Sequence, residues 1–94
     1  MRYAPMFAKS TDLNQSSIVT ALREIGCQVE IIGRPLDLLV GYRKHCFLIE
    51  IKREGARPRK DQQKQRDWIR DWPGQARICS TAEEAIQLVT MAYR

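Results

Sequence analysis

The chain has a single histidine, His45, and three widely spaced cysteines, Cys27, Cys46 and Cys79. One histidine gives little support to a Ser-His-Asp hydrolase and none to a histidine-based metal cluster, so His45 reads as a turn residue. An odd number of scattered cysteines argues against a disulfide framework and against a zinc knuckle with paired close ligands; all three read as small buried hydrophobes. There is no apolar run of membrane-spanning length. The segment from Met1 to Ser10 has neither the continuous apolar stretch nor the small-residue cleavage pattern of a signal peptide, so a cytoplasmic location without a membrane partner is expected. No glycine loop that could cradle a phosphate is present, and no cofactor motif, which weighs against a metabolic enzyme.

What the 94 residues do contain is an ordinary globular balance, 44% hydrophobic and 29% charged. One domain of this size buries about 60% of the surface that its unfolded chain exposes. The net charge of +5 is unevenly placed. Between Arg53 and Arg70 stand seven basic residues (Arg53, Arg57, Arg59, Lys60, Lys64, Arg66, Arg70) against three acidic ones (Glu54, Asp61, Asp67), and this stretch holds four of the five net charges. A polyanion is the natural partner, the alternative being a solvated helix face with scattered i,i+4 pairs.

Along the chain, Asp12 with Gln15 fits a capping box, and Gln15, Ile18, Val19, Leu22 and Ile25 recur at helical spacing until Gly26, predicting a helix over 12–26. A short β-branched strand over Cys27 to Ile32 follows, then the turn Gly33-Arg34-Pro35 and a second strand from Leu36 to Tyr42. Tyr42-Arg43-Lys44-His45 is of hairpin length and leads into a third strand, Cys46 to Lys52. Its alternation sets Phe47, Ile49 and Ile51 on one face and Cys46, Leu48, Glu50 and Lys52 on the other. After a Gly/Pro loop over Gly55 to Arg59, Lys60 to Trp72 reads as a helix with a stripe of Gln65, Trp68, Ile69 and Trp72, ended by Pro73-Gly74. Core-facing spacing makes the two tryptophans core anchors rather than base-stacking platforms. Ala76 to Cys79 is a fourth strand, and Ser80 and Thr81 with Glu83 and Glu84 cap a final helix. The expected architecture is α/β: a mixed central sheet flanked by helices in the order αβββαβα, with residues 1–11 as an N-terminal arm and 12–94 as one domain.

A tight hairpin makes the second and third strands antiparallel neighbours, so Asp37 near the start of one lies beside Glu50 and Lys52 at the end of the other. Two carboxylates and an ammonium at one sheet edge suit phosphodiester hydrolysis. They offer hard oxygen ligands for one or two magnesium ions and a positive group beside the attacking water. A D…ExK pattern alone is more often a turn-bonding Asp and a solvated ion pair. Here the charges interrupt apolar strands, where unpaired charge is costly, and a basic loop and helix follow at once.

Pro35-Leu36-Asp37 with Glu50-Ile51-Lys52, a helix before them and a Gln-bearing helix after them resemble the PD-(D/E)XK nuclease superfamily and its restriction-endonuclease-like core. More narrowly, Asp12-Leu13-Asn14-Gln15 with Ile18-Val19, Asp37 to Arg43, and Asp61-Gln62-Gln63 are similar to the small stand-alone VRR-NUC proteins of phages and prophages. The resemblance spans roughly residues 12 to 90 and implies a phage or prophage protein acting in a bacterial host. It implies that Asp37, Glu50 and the main-chain carbonyl of Ile51 bind Mg2+, with Mn2+ able to substitute, and that Lys52 orients or activates water. It also implies that Gln62, with Gln63 as an alternate, bonds Lys52 or a water on the metal. Many superfamily members carry a Glu on the first helix. Here the position is Gln15, which can accept a hydrogen bond but adds no negative charge, and whose other role is the cap with Asp12.

The implied activity is a structure-specific DNA endonuclease, with Holliday-junction resolution as the nearest form. Arg53, Arg57, Arg59, Lys60 and Lys64 would position phosphates and carry little base information. A domain this small acting on branched DNA is expected to work as a homodimer, to which Tyr3, Met6 and Phe7 of the arm could add. The competing class is a nucleic-acid-binding or assembly module that keeps the fold without cleaving, for which Gln15 is the supporting feature.

Overall fold

In the computed structural model, which describes residues 10–53 and 60–91, the helix predicted over 12–26 runs over Ser10–Glu24 (α1). It buries Ile18, Val19 and Leu22, the apolar positions that recur at helical spacing. Asp12 is therefore the third residue of the helix and not its N-cap, so the capping box does not form at that position. Its side chain lies outside the described residues, as do the arm residues Tyr3, Met6 and Phe7. Gly26, at φ +103°, takes the left-handed conformation that ends a helix at little steric cost.

The remaining elements are β1 (Gln28–Ile31), β2 (Leu38–Tyr42), β3 (His45–Ile51), α2 (Lys60–Asp71), β4 (Gln75–Cys79) and α3 (Ala82–Met91), which is the predicted αβββαβα order. They build one mixed sheet in the order β1-β2-β3-β4, antiparallel except for the β3–β4 pair. The parallel step requires a crossover, and α2 supplies it. At the start of α3, Thr81 Oγ1 accepts from the Glu84 N–H at 3.1 Å while the Glu84 carboxylate accepts from the Ser80 N–H, the reciprocal cap expected at Ser80-Thr81.

Strand alternation divides the sheet into two unequal faces. Val29, Leu38, Val40, Phe47, Ile49 and Ile51 point to the α1/α3 side, where Cys27, Cys79, Ala85 and Val89 complete the core. The α2 side is thinner: Leu36, Leu48 and Glu50 are buried outside that cluster. Burial raises the thiol pKa of Cys27 and pushes that of Cys79 up to about 11, so both behave as small neutral hydrophobes, as expected. Cys46 departs from expectation and is exposed, because it stands one residue into β3 on the thin face. The tryptophans depart further. Trp68 is 36% and Trp72 40% exposed, with rings stacked 5.0 Å apart at 13°, so neither anchors the core. The half-buried positions of α2 are Gln62, Gln65, Asp67 and Ile69, and none of its described side chains is fully buried.

The β2–β3 hairpin pairs Tyr42 with His45 and turns on Arg43 and Lys44 alone, at φ 51° and 72°. Two successive left-handed residues match the twist of a two-residue hairpin, a geometry that glycine and asparagine ordinarily supply. Lys44→Gly removes the side chain that opposes this conformation. Against the greater freedom that glycine gives the unfolded chain, it should stabilise by about 0.5 kcal/mol. The expected result is a rise in Tm of roughly 2–4 °C in a thermal unfolding scan; a fall would contradict the turn assignment.

Candidate active site

Asp37 sits one residue before β2, where the chain returns from the β1–β2 connection. Its main-chain carbonyl accepts from the N–H groups of Ile32 and Gly33 at 2.9 and 3.1 Å, which closes the loop on itself. Gly33 permits this at φ +77°. The Asp37 carboxylate accepts through Oδ2 from the Ile51 N–H on the adjacent strand, at 2.8 Å. Main chain and side chain are thus held from two directions. Leu38 pairs with Ile49, so continuing the antiparallel register places Asp37 opposite Glu50, with both carboxylates on the α2 side of the sheet.

Glu50 is the one buried charged residue among those described, at 8% exposure. Burial is the main reason its pKa is raised, and the nearby negative charge of Asp37 adds to it. Hydrogen bonds from Lys52 and from the Gln65 side chain, and the Lys52 charge, act in the opposite direction. Lys52 Nζ lies 3.1 Å from Glu50 Oε2. The strand beneath is fixed by β4, since the Lys52 N–H donates to the Cys79 carbonyl at 3.1 Å. Two carboxylates and an ammonium therefore meet where β2 begins and β3 ends. Ile51, bound at its N–H by Asp37, brings its main chain to the same place.

The other sequence-derived positions fall into three groups. Gln62 is half-buried on α2, and Gln65, one turn later on the same face, is the glutamine that bonds Glu50. In the sequence Gln65 falls within an apolar stripe, and its signal is that it is the polar member of that stripe. Gln63 is exposed and donates to Asp67 at 2.9 Å, away from the carboxylates. Gln15 is half-buried on α1, which packs on the opposite face of the sheet, and no hydrogen bond among the described residues joins it to Asp37, Glu50 or Lys52. Of the basic set, Arg53 and Lys64 are exposed, whereas Arg57, Arg59 and the side chain of Lys60 lie outside the described residues.

Among the described residues no three His, Cys, Asp or Glu side chains converge as a metal cage. The donors present are two carboxylates and a main-chain carbonyl, all hard oxygens. They suit an ion such as magnesium that keeps most of its own water and takes one or two protein carboxylates. Burial is the main reason that the Glu50 pKa is raised, and the repulsion from Asp37 that adds to it is what a divalent cation would relieve.

No family model and no curated protein matches the chain. A solved structure described as a VRR_NUC domain does, with a TM-score of 0.67 and 20% identity over 92% of this chain and the whole of that one. The chain has the fold of that domain.

Because the folded state raises the Glu50 pKa, it holds that proton more tightly than the unfolded chain does. The stability linked to Glu50 is therefore present below the ordinary carboxylate range and is lost as pH rises through the raised value. With metal chelated, Glu50→Gln should melt above wild type at pH 7, and the gap should close as the pH is lowered towards 4. A variant that melts lower at pH 7 would show that Lys52 and Gln65 outweigh burial.

Proposed function

We propose that the chain is a metal-dependent DNA nuclease. The observation that carries this reading is the pairing of Asp37 with Glu50 across adjacent strands, with Lys52 ion-paired beside them, on a VRR_NUC fold. Asp37, Glu50 and the Ile51 carbonyl would hold Mg2+, for which Mn2+ could substitute. When bound, the ion supplies a Lewis acid that offsets negative charge developing on the phosphate.

The chain's own residues do the rest. The backbone bonds at Ile32, Gly33 and Ile51 hold Asp37 so that its carboxylate keeps one position. Lys52, half-buried and anchored by Glu50, sets a positive charge where an attacking water must lose its proton. Gln65 fixes the Glu50 carboxylate from the α2 side, a role in which Gln62, one turn earlier, can share. Arg53 and Lys64, together with Arg57, Arg59 and Lys60, would guide the phosphate backbone toward this point without reading sequence.

Branched DNA, including a four-way junction, is the substrate that such shape-based recognition favours, and a homodimer is the assembly that can act on two strands. The exposed apolar pair Ile31 and Ile32 supports a second copy. It ends the edge strand β1 beside the loop that positions Asp37, and Ile31 is 57% exposed. Gln15 in place of an acid supports the other reading, a module that binds without cleaving.

A cleavage assay over duplex, nicked, flap and four-way-junction DNA in Mg2+ and in Mn2+ separates these. Cleavage should depend on metal. It should fall roughly a hundredfold or more in each of Asp37→Ala, Glu50→Ala and Lys52→Ala, while DNA binding persists. Full binding with no cleavage in either metal would leave the module and remove the nuclease.

A further inference from the structure

Two large indoles, 36% and 40% exposed, at the end of a helix beside a candidate active site require a reason, because exposed aromatic surface forgoes the gain of burial. Trp68, on α2, and Trp72, one residue past its end, are stacked on one another. A Cβ on Gly74 would come within 2.7 Å of Trp72 Nε1, so the ring lies where only glycine leaves space.

Trp68 also lines a cavity of about 280 Å³ whose other walls are Pro35, Leu36, Lys64 and Gln65. Pro35 and Leu36 are the two residues before Asp37, and Gln65 bonds Glu50. The cavity therefore borders the segment that carries Asp37 and the glutamine that bonds Glu50. It combines a flat aromatic surface, a side-chain amide and a lysine ammonium, in the stretch of chain that carries most of the net positive charge. A nucleotide has the matching parts: a base with two π-faces and an anionic phosphate.

We propose that Trp68, backed by Trp72, is a stacking platform for an unpaired DNA base next to the phosphate at Asp37 and Glu50, with Lys64 on the adjoining phosphate. The proposal rests on the nuclease reading for the identity of its ligand and adds a preference: DNA with unstacked nucleotides is favoured over continuous duplex. A paired base keeps its faces within the helix stack and cannot offer one to the indole. Branch points and single strands can.

These are the only tryptophans in the chain, so their emission reports on this surface alone. With metal chelated, a short oligothymidylate should quench the emission of the wild-type protein, and a blunt duplex of equal length should quench it far less. Trp68→Ala should weaken oligothymidylate binding roughly tenfold or more and duplex binding less than about twofold, and Trp68→Phe should restore most of the difference. Trp72→Ala, which leaves the cavity wall in place, should cause a smaller loss in the same direction, and thermal unfolding of each variant reports whether it is folded.

The platform is overturned if oligothymidylate leaves the emission unchanged, if Trp68→Ala weakens both DNAs alike, or if Trp68→Ala converts a dimer to monomer in sedimentation with binding intact. The last result would make a second copy the occupant. Wild-type protein that binds neither DNA overturns both proposals. Stacking on oligothymidylate without cleavage of any DNA in magnesium or manganese removes the nuclease alone.

Discussion

The hydrogen bond from the Ile51 N–H to Asp37 Oδ2 joins two things that a small protein must otherwise arrange separately, the register of its central hairpin and the position of its first carboxylate. Asp37 stands just outside β2, beyond the last ladder pair of Leu38 with Ile49, where a strand end would ordinarily fray. By capping the Ile51 amide it continues the pairing through its side chain. The Asp37 carbonyl meanwhile satisfies Ile32 and Gly33, so the loop from β1 ends on the same residue. Loss of that carboxylate would leave an amide at a buried strand position unpaired, a penalty of about 1–3 kcal/mol. The residue proposed to hold a cation is also one that the sheet needs.

Glu50 has the opposite relation to the fold. Nothing in the sheet requires a carboxylate there, and burial and the charge of Asp37 both oppose its ionisation. Its neighbours compensate in part: Lys52 by an ion pair of 3.1 Å, and Gln65 by a hydrogen bond from across the α2 interface. A half-buried ion pair of this kind is weak evidence for stability and, beside a second carboxylate, stronger evidence for a site. The polar face of α2 follows from this. A helix whose Gln65 reaches a buried carboxylate serves it better with glutamines than with leucines, and its half-buried positions among the described residues are accordingly Gln62, Gln65, Asp67 and Ile69.

That arrangement also explains which parts of the molecule were legible in the sequence. The period-2 alternation of β3 placed Phe47, Ile49 and Ile51 against the core and Glu50 with Lys52 opposite, and the short hairpin brought Asp37 to them; both are local signals that tertiary packing had no reason to override. The tryptophans of α2 were misread for a physical reason. Helical periodicity says that residues share a face, but not whether a sheet covers that face. The α2 side of this sheet offers only Leu36, Leu48 and Glu50 as buried partners. Cys46 was misread likewise, as a residue type usually buried that stands on the thin side. Gln65 was hidden by its apolar company, since a stripe is recognised by its hydrophobic members and its polar one passes as an exception. Asp12 resembles a cap because the box pattern is short enough to occur inside a helix that begins two residues earlier.

The asymmetry of the two sheet faces then bears on how ninety-four residues can carry both a fold and a site. Stability is concentrated on the α1/α3 side, where the clustered core residues are aliphatic or small apart from Phe47. With one core of modest size there is little margin to absorb a buried carboxylate, a pair of part-exposed indoles and the positive charges of Lys64, Arg66 and Arg70 on α2. Distributing these through the core would disrupt its close packing. Gathering them on the α2 side leaves the core intact, and keeps the charges on a surface where a cation and a polyanion could neutralise them. The features that look like defects of packing on that side, the exposed tryptophans included, are thus the ones that a bound ligand would satisfy.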